Sequence, residues 1–349
     1  MALRDDDGAP GEAGGLPPLI ARLLVAAERH RVGLRRLGVA LSVAIVGFSI
    51  FIFARTLVMI DLGQFESAFR ATGFDQIFAA LGCAAISYLA LTGYDALALR
   101  HLGVRIPYRL TALASFTSYA ISFTLGFPLV TGGAVRFWLY GPTGLSPGKI
   151  ASLTIVAGIT FWLGMGLVLA SGFLFDAGAI AEINQFPLAL NRAIGAGLIG
   201  VLLIYLVWVT RRRAKGRGAV MNFRLPGLWL TLGQTTLGVI DVCAAAGALY
   251  VLLPDGHAVR YFAFAALYSF AAMLGIASHS PGGLGVFEAT MIKGVGGSPD
   301  RLLAALLLFR VIYYVMPFVF ALALLGAHEA ARRWRSLSEA IEKARLEDD

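Results

Sequence analysis

The chain has 349 residues, is 58% hydrophobic with a mean hydropathy of +0.76, and is only 14% charged, against roughly a quarter in soluble domains. That balance excludes an ordinary soluble globular domain, because its apolar residues form runs of the roughly 20 residues that cross a bilayer instead of a core under a polar surface. The formal net charge of +8 does not point to nucleic acid, since the basic residues fall in short clusters between apolar runs, with no basic-aromatic stripe.

Residues 1–37 read as a polar, acidic, Gly/Pro-rich tail followed by a basic segment carrying Arg29, Arg31, Arg35 and Arg36. No cleavable signal peptide is expected, because the first apolar run, 38–60, is too long and no small-residue cleavage site follows it. Arg55, near the end of that run, is read as snorkelling to the interface. Further runs follow at 77–99, 110–130, 150–175, 190–209, 228–252, 261–280 and 301–326. A short helix near 134–141 follows the third run and another near 286–293 follows the seventh; each is about three turns long, too short to span. Gly126-Phe127-Pro128 through Thr131-Gly132-Gly133 introduces the first, and Ser280-Pro281-Gly282-Gly283-Leu284-Gly285 the second. Such breaks free backbone groups, which membrane depth tolerates only inside protein or beside a wet cavity. Cys83 and Cys243 lie within apolar runs without metal-ligand spacing and read as small core residues.

A shift of 152 residues carries Gly133 onto Gly285, Gly144 onto Gly296, Ser146-Pro147 onto Ser298-Pro299, and Arg136 onto Glu288. Basic clusters at Arg100, Arg105 and Arg109, at Arg211–Arg217 and at Arg332, Arg333 and Arg335 are placed on the cytoplasmic side. All of them reach that side only if 110–141 and 261–297 each enter and return as a hairpin. The expectation is therefore an all-α integral membrane protein of two inverted repeats, each with three spanning helices and one re-entrant broken-helix hairpin. Repeat 1 covers 38–175, an external loop 176–189, repeat 2 190–327 and a C-terminal tail 328–349, with both termini cytoplasmic. The alternative is a plain eight-crossing bundle with both short stretches as surface loops.

Inverted repeats with broken helices near the midplane are the architecture of secondary transporters, and a half-helix N-terminus suits an anionic group. Arg136 is expected in the first turn of one half-helix and Glu288 in the first turn of the other. Arg136 is read as a phosphate ligand and Glu288 as a ligand for a cationic or hydroxylated headgroup part, or the two as a bridge across the pseudo-two-fold that a substrate breaks. Further candidates are Asp95 (or a pair with Arg100), Asp241, Arg310 and Tyr140, with the freed N–H groups around Gly132, Gly133, Gly282 and Gly283. His279, Tyr313 and Tyr314 read as packing or interface residues. The chain carries no metalloprotease, Walker, nucleophile-elbow or Cys/His motif, so neither an enzyme nor a cofactor is expected.

The segments Phe127–Arg136 with Tyr140, and Ser280–Glu288, resemble the paired motifs of the lysylphosphatidylglycerol synthase/flippase transmembrane family, the first mainly at its glycines, arginine and tyrosine. Tyr94-Asp95 with Arg100 is similar to that family's motif at the end of the corresponding helix. The resemblance covers most of 38–326 and implies flipping of a phospholipid, typically an aminoacylated phosphatidylglycerol, in a bacterial cytoplasmic membrane. Bifunctional members carry an aminoacyl-transferase domain after the membrane part; this chain stops about 20 residues past its last run and is expected to act without one. The expected function is translocation of an anionic or aminoacylated phospholipid. The expected partners are that lipid and surrounding membrane lipids, with a homo-oligomer or a separate lipid-modifying enzyme as further partners. An ion-coupled solute carrier, a non-transporting scaffold and an intramembrane enzyme on lipid-linked substrates are the rival readings.

Overall fold

The computed structural model describes residues 69 and 72–347, apart from 127, 215–218, 221–222, 225, 255–256, 258 and 279. The first apolar run with Arg55, the N-terminal arginines and His279 lie outside the described residues. The described chain is helical apart from one two-residue antiparallel ladder, in which Ala219 faces Arg224 and Val220 faces Phe223.

Helix α1 spans Phe74–His101, α2 Tyr108–Leu125, α3 Pro128–Tyr140, α4 Pro147–Phe175, α5 Ala177–Asn184 and α6 Leu188–Ala214. After the ladder come α7 (Leu228–Tyr250), α8 (Tyr261–Ala277), α9 (Val286–Val295) and α10 (Pro299–Arg310). A π-helical turn over Val311–Val315 leads directly into α11 (Met316–Glu347). Proline at the first position of α4 and of α10 costs no hydrogen bond, because the N–H there has no partner within the helix.

Among the described residues, five helices are long and apolar enough to cross a bilayer: α1, α4, α6, α7 and the continuous stretch Pro299–Trp334. They coincide with the runs expected to span. The first short helix differs: it begins at Pro128, six residues before its expected start, so Gly132 and Gly133 are helical, and α2 ends before Gly126, whose φ is 79°. Proline suits that start, and Gly132 serves close packing instead of a break. A Cβ on Gly132 would stand 2.9 Å from Ser122 Oγ and 3.1 Å from Arg136 Nη1.

Helices α2 and α3 form an antiparallel hairpin, in which Thr131 bonds Ser122 (3.0 Å) near the tip and Tyr140 reaches the Thr111 carbonyl (3.5 Å) near the base. Helices α8 and α9 form a second one, joined from Gly275 against Gly283 to Leu267 against Gly294. The tips meet: a Cβ on Gly282 would stand 3.4 Å from the Phe123 carbonyl oxygen and 3.7 Å from that of Thr124.

Apolar side chains gain little by leaving lipid for protein, so membrane helices associate through small residues that let backbones approach. Here α1 packs on α7 through Gly93 against Leu237, Leu97 against Gly233 and Cys83 against Gly247. The numbers rise on one helix as they fall on the other, so α1 and α7 run antiparallel. Helix α4 crosses α7 at Gly164 and Gly238 and meets α8 where Gly172 touches Ala266.

Candidate functional site

The buried charged side chains Asp95, Arg136, Asp241 and Arg310 lie on one track through this bundle. At the base of the first hairpin, Arg136 of α3 grips Asp95 of α1 with two parallel hydrogen bonds, Nε to Oδ2 at 2.8 Å and Nη2 to Oδ1 at 2.7 Å. Asp95 is 0% and Arg136 2% exposed, so both charges are fully withdrawn from solvent. Tyr140 donates to the same carboxylate at 3.2 Å, and the guanidinium lies over the Tyr119 ring at 4.9 Å. A fork on a planar carboxylate with an aromatic face beside it is a geometry available to arginine and denied to lysine.

The track continues from Tyr119 edge-on to Tyr94, whose hydroxyl donates to Asp241 Oδ2 at 2.8 Å. Ser87 donates to the other oxygen of Asp241 at 2.5 Å and shares a 2.6 Å hydrogen bond with Tyr313 of the π turn. Pro317 has no N–H to give the Tyr313 carbonyl one turn earlier, and Tyr88 of α1 supplies the missing donor at 3.1 Å. Tyr314, the next residue, lies 5.3 Å under the Arg310 guanidinium. Arg310 is ion-paired with Glu288 of α9 and donates to the Gly282 carbonyl at 3.0 Å. Glu288 in turn accepts from the Gly285 N–H at 2.8 Å and so caps its own helix. From Asp95 to Ser87 alone the track covers on the order of 12 Å along α1, eight residues at about 1.5 Å each.

The structure thus joins Asp95, Arg136, Tyr140, Asp241, Glu288, Arg310 and Gly282 in one continuous arrangement, but with different pairings from those expected. Arg136 is paired with Asp95, not Glu288, and Asp95 with Arg136, not Arg100. Arg136 sits in the third turn of α3 because the helix starts early, whereas Glu288 does occupy the first turn of α9. The N–H groups of Gly132 and Gly133 are turned into a helix and are not free for an anion. Gly282 and Gly283 do lie at a break, with φ of 60° and 68°, and Gly283 N–H donates to the Ser280 carbonyl at 2.9 Å. Tyr313, read as a packing or interface residue, is buried and stacked on Phe309, and is also a hydrogen-bonding member of the track.

Ser87, Tyr88 and Tyr119 are not among the residues read from the sequence, and Tyr94 enters there only through the resemblance at Tyr94-Asp95. Their signal was there: Ser87 and Tyr94 stand on one face of a helix in an apolar run, seven residues from one another, and Pro317 interrupts the last run. Gln234, fully buried on α7 two turns before Asp241, has neither amide atom hydrogen-bonded among the described residues, and the Ser118 hydroxyl is likewise unsatisfied. Arg310→Lys is expected to lower stability by about 1–3 kcal/mol, since an ammonium cannot hold Glu288 and the Gly282 carbonyl in one plane. A thermal-unfolding series in detergent against wild type measures it; equal midpoints would show that the planar contacts contribute nothing.

A family model described as the lysylphosphatidylglycerol synthase transmembrane region matches residues 37–321. The chain is 33% identical over 310 residues to uncharacterized protein slr0712 of Synechocystis, covering 81% of this chain and 94% of that one. It is 30% identical over 276 residues to inner membrane protein YbhN of Escherichia coli, covering 76% and 84%. Similarity to the phosphatidylglycerol lysyltransferase of Staphylococcus aureus is 26% over 245 residues, 68% of this chain but only 28% of that protein.

Proposed function

The chain belongs to the family of the lysylphosphatidylglycerol synthase transmembrane region, and from that membership we propose that it is a phospholipid translocase of the cytoplasmic membrane. It moves an anionic or aminoacylated phospholipid between leaflets, making and breaking no covalent bond. The relative inner membrane protein YbhN supports the location.

The observation that carries this reading is the buried polar track. Ionised side chains inside a bilayer are costly, about 3 kcal/mol each on insertion scales, and they mark substrate or ion pathways. Two ion pairs and a further carboxylate along one line through an apolar bundle suit a headgroup that slides while its acyl chains stay in lipid. Arg136 exchanges its Asp95 partner for a lipid phosphate, and Arg310 with Glu288 opens or closes the meeting point of the two hairpin tips. A scaffold would have every buried polar group satisfied; Gln234 and Ser118 are not, and Asp241 is in no ion pair among the described residues.

The translocase reading takes the two hairpins as re-entrant and the halves as inverted. Three features support it. A 152-residue shift carries α1, α2 and α4 onto α7, α8 and the stretch beginning at Pro299 to within three residues at their starts. The corresponding helices α1 and α7 pack antiparallel. With α4 and α6 as the crossings between them, that direction requires the α2–α3 hairpin to make no net crossing.

The experiment is a flip assay in liposomes with fluorescent phosphatidylglycerol, aminoacylated phosphatidylglycerol and phosphatidylcholine. Selective translocation of the first or second, lost in Glu288→Gln protein of unchanged fold, is the expected result. Equal rates for all three lipids, or none for any from folded protein, would reject the reading.

A further inference from the structure

The two ion pairs of the track cancel internally, Asp95 with Arg136 and Glu288 with Arg310. The remaining charged group is Asp241, at the middle of α7 and 2% exposed. Its two oxygens accept from Ser87 and Tyr94, and it has no ion-pair partner among the described residues. A carboxylate held by two neutral hydroxyls in a membrane interior is a position where a proton can be taken up and released.

We propose that Asp241 is a proton-binding site that couples an anionic headgroup to a proton, so that each lipid carrying a phosphate negative charge crosses with one proton. This rests on the translocase reading and adds to it the driving ion and the charge class of the substrate. With Asp241 ionised, the track carries one net negative charge and repels a phosphate; with Asp241 protonated, the track is neutral and the phosphate can displace Asp95 from Arg136. The proton enters from one aqueous phase, stays on an Asp241 oxygen during transfer, and leaves to the other phase as the headgroup departs. The cycle carries no net charge.

The surroundings of Asp241 fit a group with two protonation states. Tyr94 meets it from α1, and Tyr88 of α1, Tyr119 of α2, Tyr268 of α8, Tyr313 of the π turn and Cys243 of its own helix lie within electrostatic reach of it. No ionisable group of α4, α6 or α10 forms an ion pair or hydrogen bond with it among the described residues. In the Ser87–Tyr313 bond either hydroxyl can donate. When Asp241 gains a proton and donates to Ser87, that bond can reverse without moving a heavy atom. The reversal reaches Tyr313, whose neighbour Tyr314 lies under Arg310. Protonation therefore acts on the turn that directly follows Arg310 of the second ion pair.

Two measurements test this. Infrared difference spectra of the purified protein across a pH titration should show a carboxylic acid band that appears on acidification, is shifted by Tyr94→Phe and is missing in Asp241→Asn. A titration identical in wild type and Asp241→Asn overturns the proposal, whatever the protein transports. In liposomes holding fluorescent phosphatidylglycerol, an imposed gradient of one pH unit should drive the lipid toward about a tenfold ratio between leaflets. A potassium diffusion potential should leave that ratio unchanged, and Asp241→Asn should bring it to one. A wild-type ratio indifferent to the pH gradient overturns the coupling. No lipid movement at all, with the Asp241 band present, instead removes the translocase reading and leaves proton binding in place.

Discussion

Arg136→Ala is expected to be the most damaging single substitution in the protein, lowering stability by about 3–5 kcal/mol. It removes the only ion-pair partner of Asp95 among the described residues and leaves that carboxylate uncompensated at 0% exposure. The remaining donor, Tyr140 at 3.2 Å, cannot replace a two-bond guanidinium grip. The loss of the cation over the Tyr119 ring adds to the cost. Removing both charges is a different case. A buried ion pair replaced by apolar residues of similar volume is often neutral or stabilising, since neither desolvation penalty remains. Asp95→Leu with Arg136→Met is therefore expected to recover most of the lost stability and none of the lipid translocation. Thermal unfolding of the single and double variants, beside the flip assay, separates the two roles. If the double variant translocates lipid at the wild-type rate, the pair is a structural brace and Arg136 is not a phosphate ligand.

Gly164→Ala is the second large effect. The added methyl would lie 2.2 Å from the carbonyl carbon of Gly238 and 2.4 Å from its Cα. Both are backbone atoms on a facing helix and cannot rotate away, so α4 and α7 must separate. Overpacking of this kind costs about 1–3 kcal/mol, and here it also shifts the helix that carries Asp241. Gly158→Ala on the same helix is the control, because its methyl would meet nothing within 4 Å. That change removes a flexible residue from a helix and is expected to be neutral or stabilising by up to about 1 kcal/mol. Similar unfolding midpoints for the two variants would show that the α4–α7 crossing is looser than its geometry implies.

Much of this architecture is legible in the residue order. Apolar run length locates the starts of the five candidate spans to within three residues, because hydropathy over 20 residues is a property of composition alone. The position of Glu288 at a helix start also follows locally, from the glycines that precede it. The partners do not follow. Asp95 and Arg136 are 41 residues apart, and which face of α3 turns toward α1 depends on how both helices are rotated about their axes. An arginine that could meet any of several buried acids has no local signal for the one it chooses. Gly132-Gly133 misleads for a related reason. Two adjacent glycines mark a break when they supply a positive φ, as Gly282 and Gly283 do, and a close contact when they stay helical, as Gly132 does against Ser122. Only the neighbouring helix distinguishes the two uses.

The π turn at Val311–Val315 has a consequence for helical phase. A turn of this kind winds one residue more than an α turn into about the same rise, so everything after it is rotated by about 100° from where an unbroken α-helix would place it. Phe318, Ala321 and Leu325, all buried, depend on that offset, while Leu302, Leu306 and Phe309 before it do not. Deleting one residue between Val311 and Val315 would therefore leave composition and span length almost untouched while turning one half of the helix against the other. The same deletion would uncouple the face bearing Arg310 from the face that closes on α2. Length variation among related chains should avoid this turn and fall in the loops, for a reason that no substitution scan would reveal.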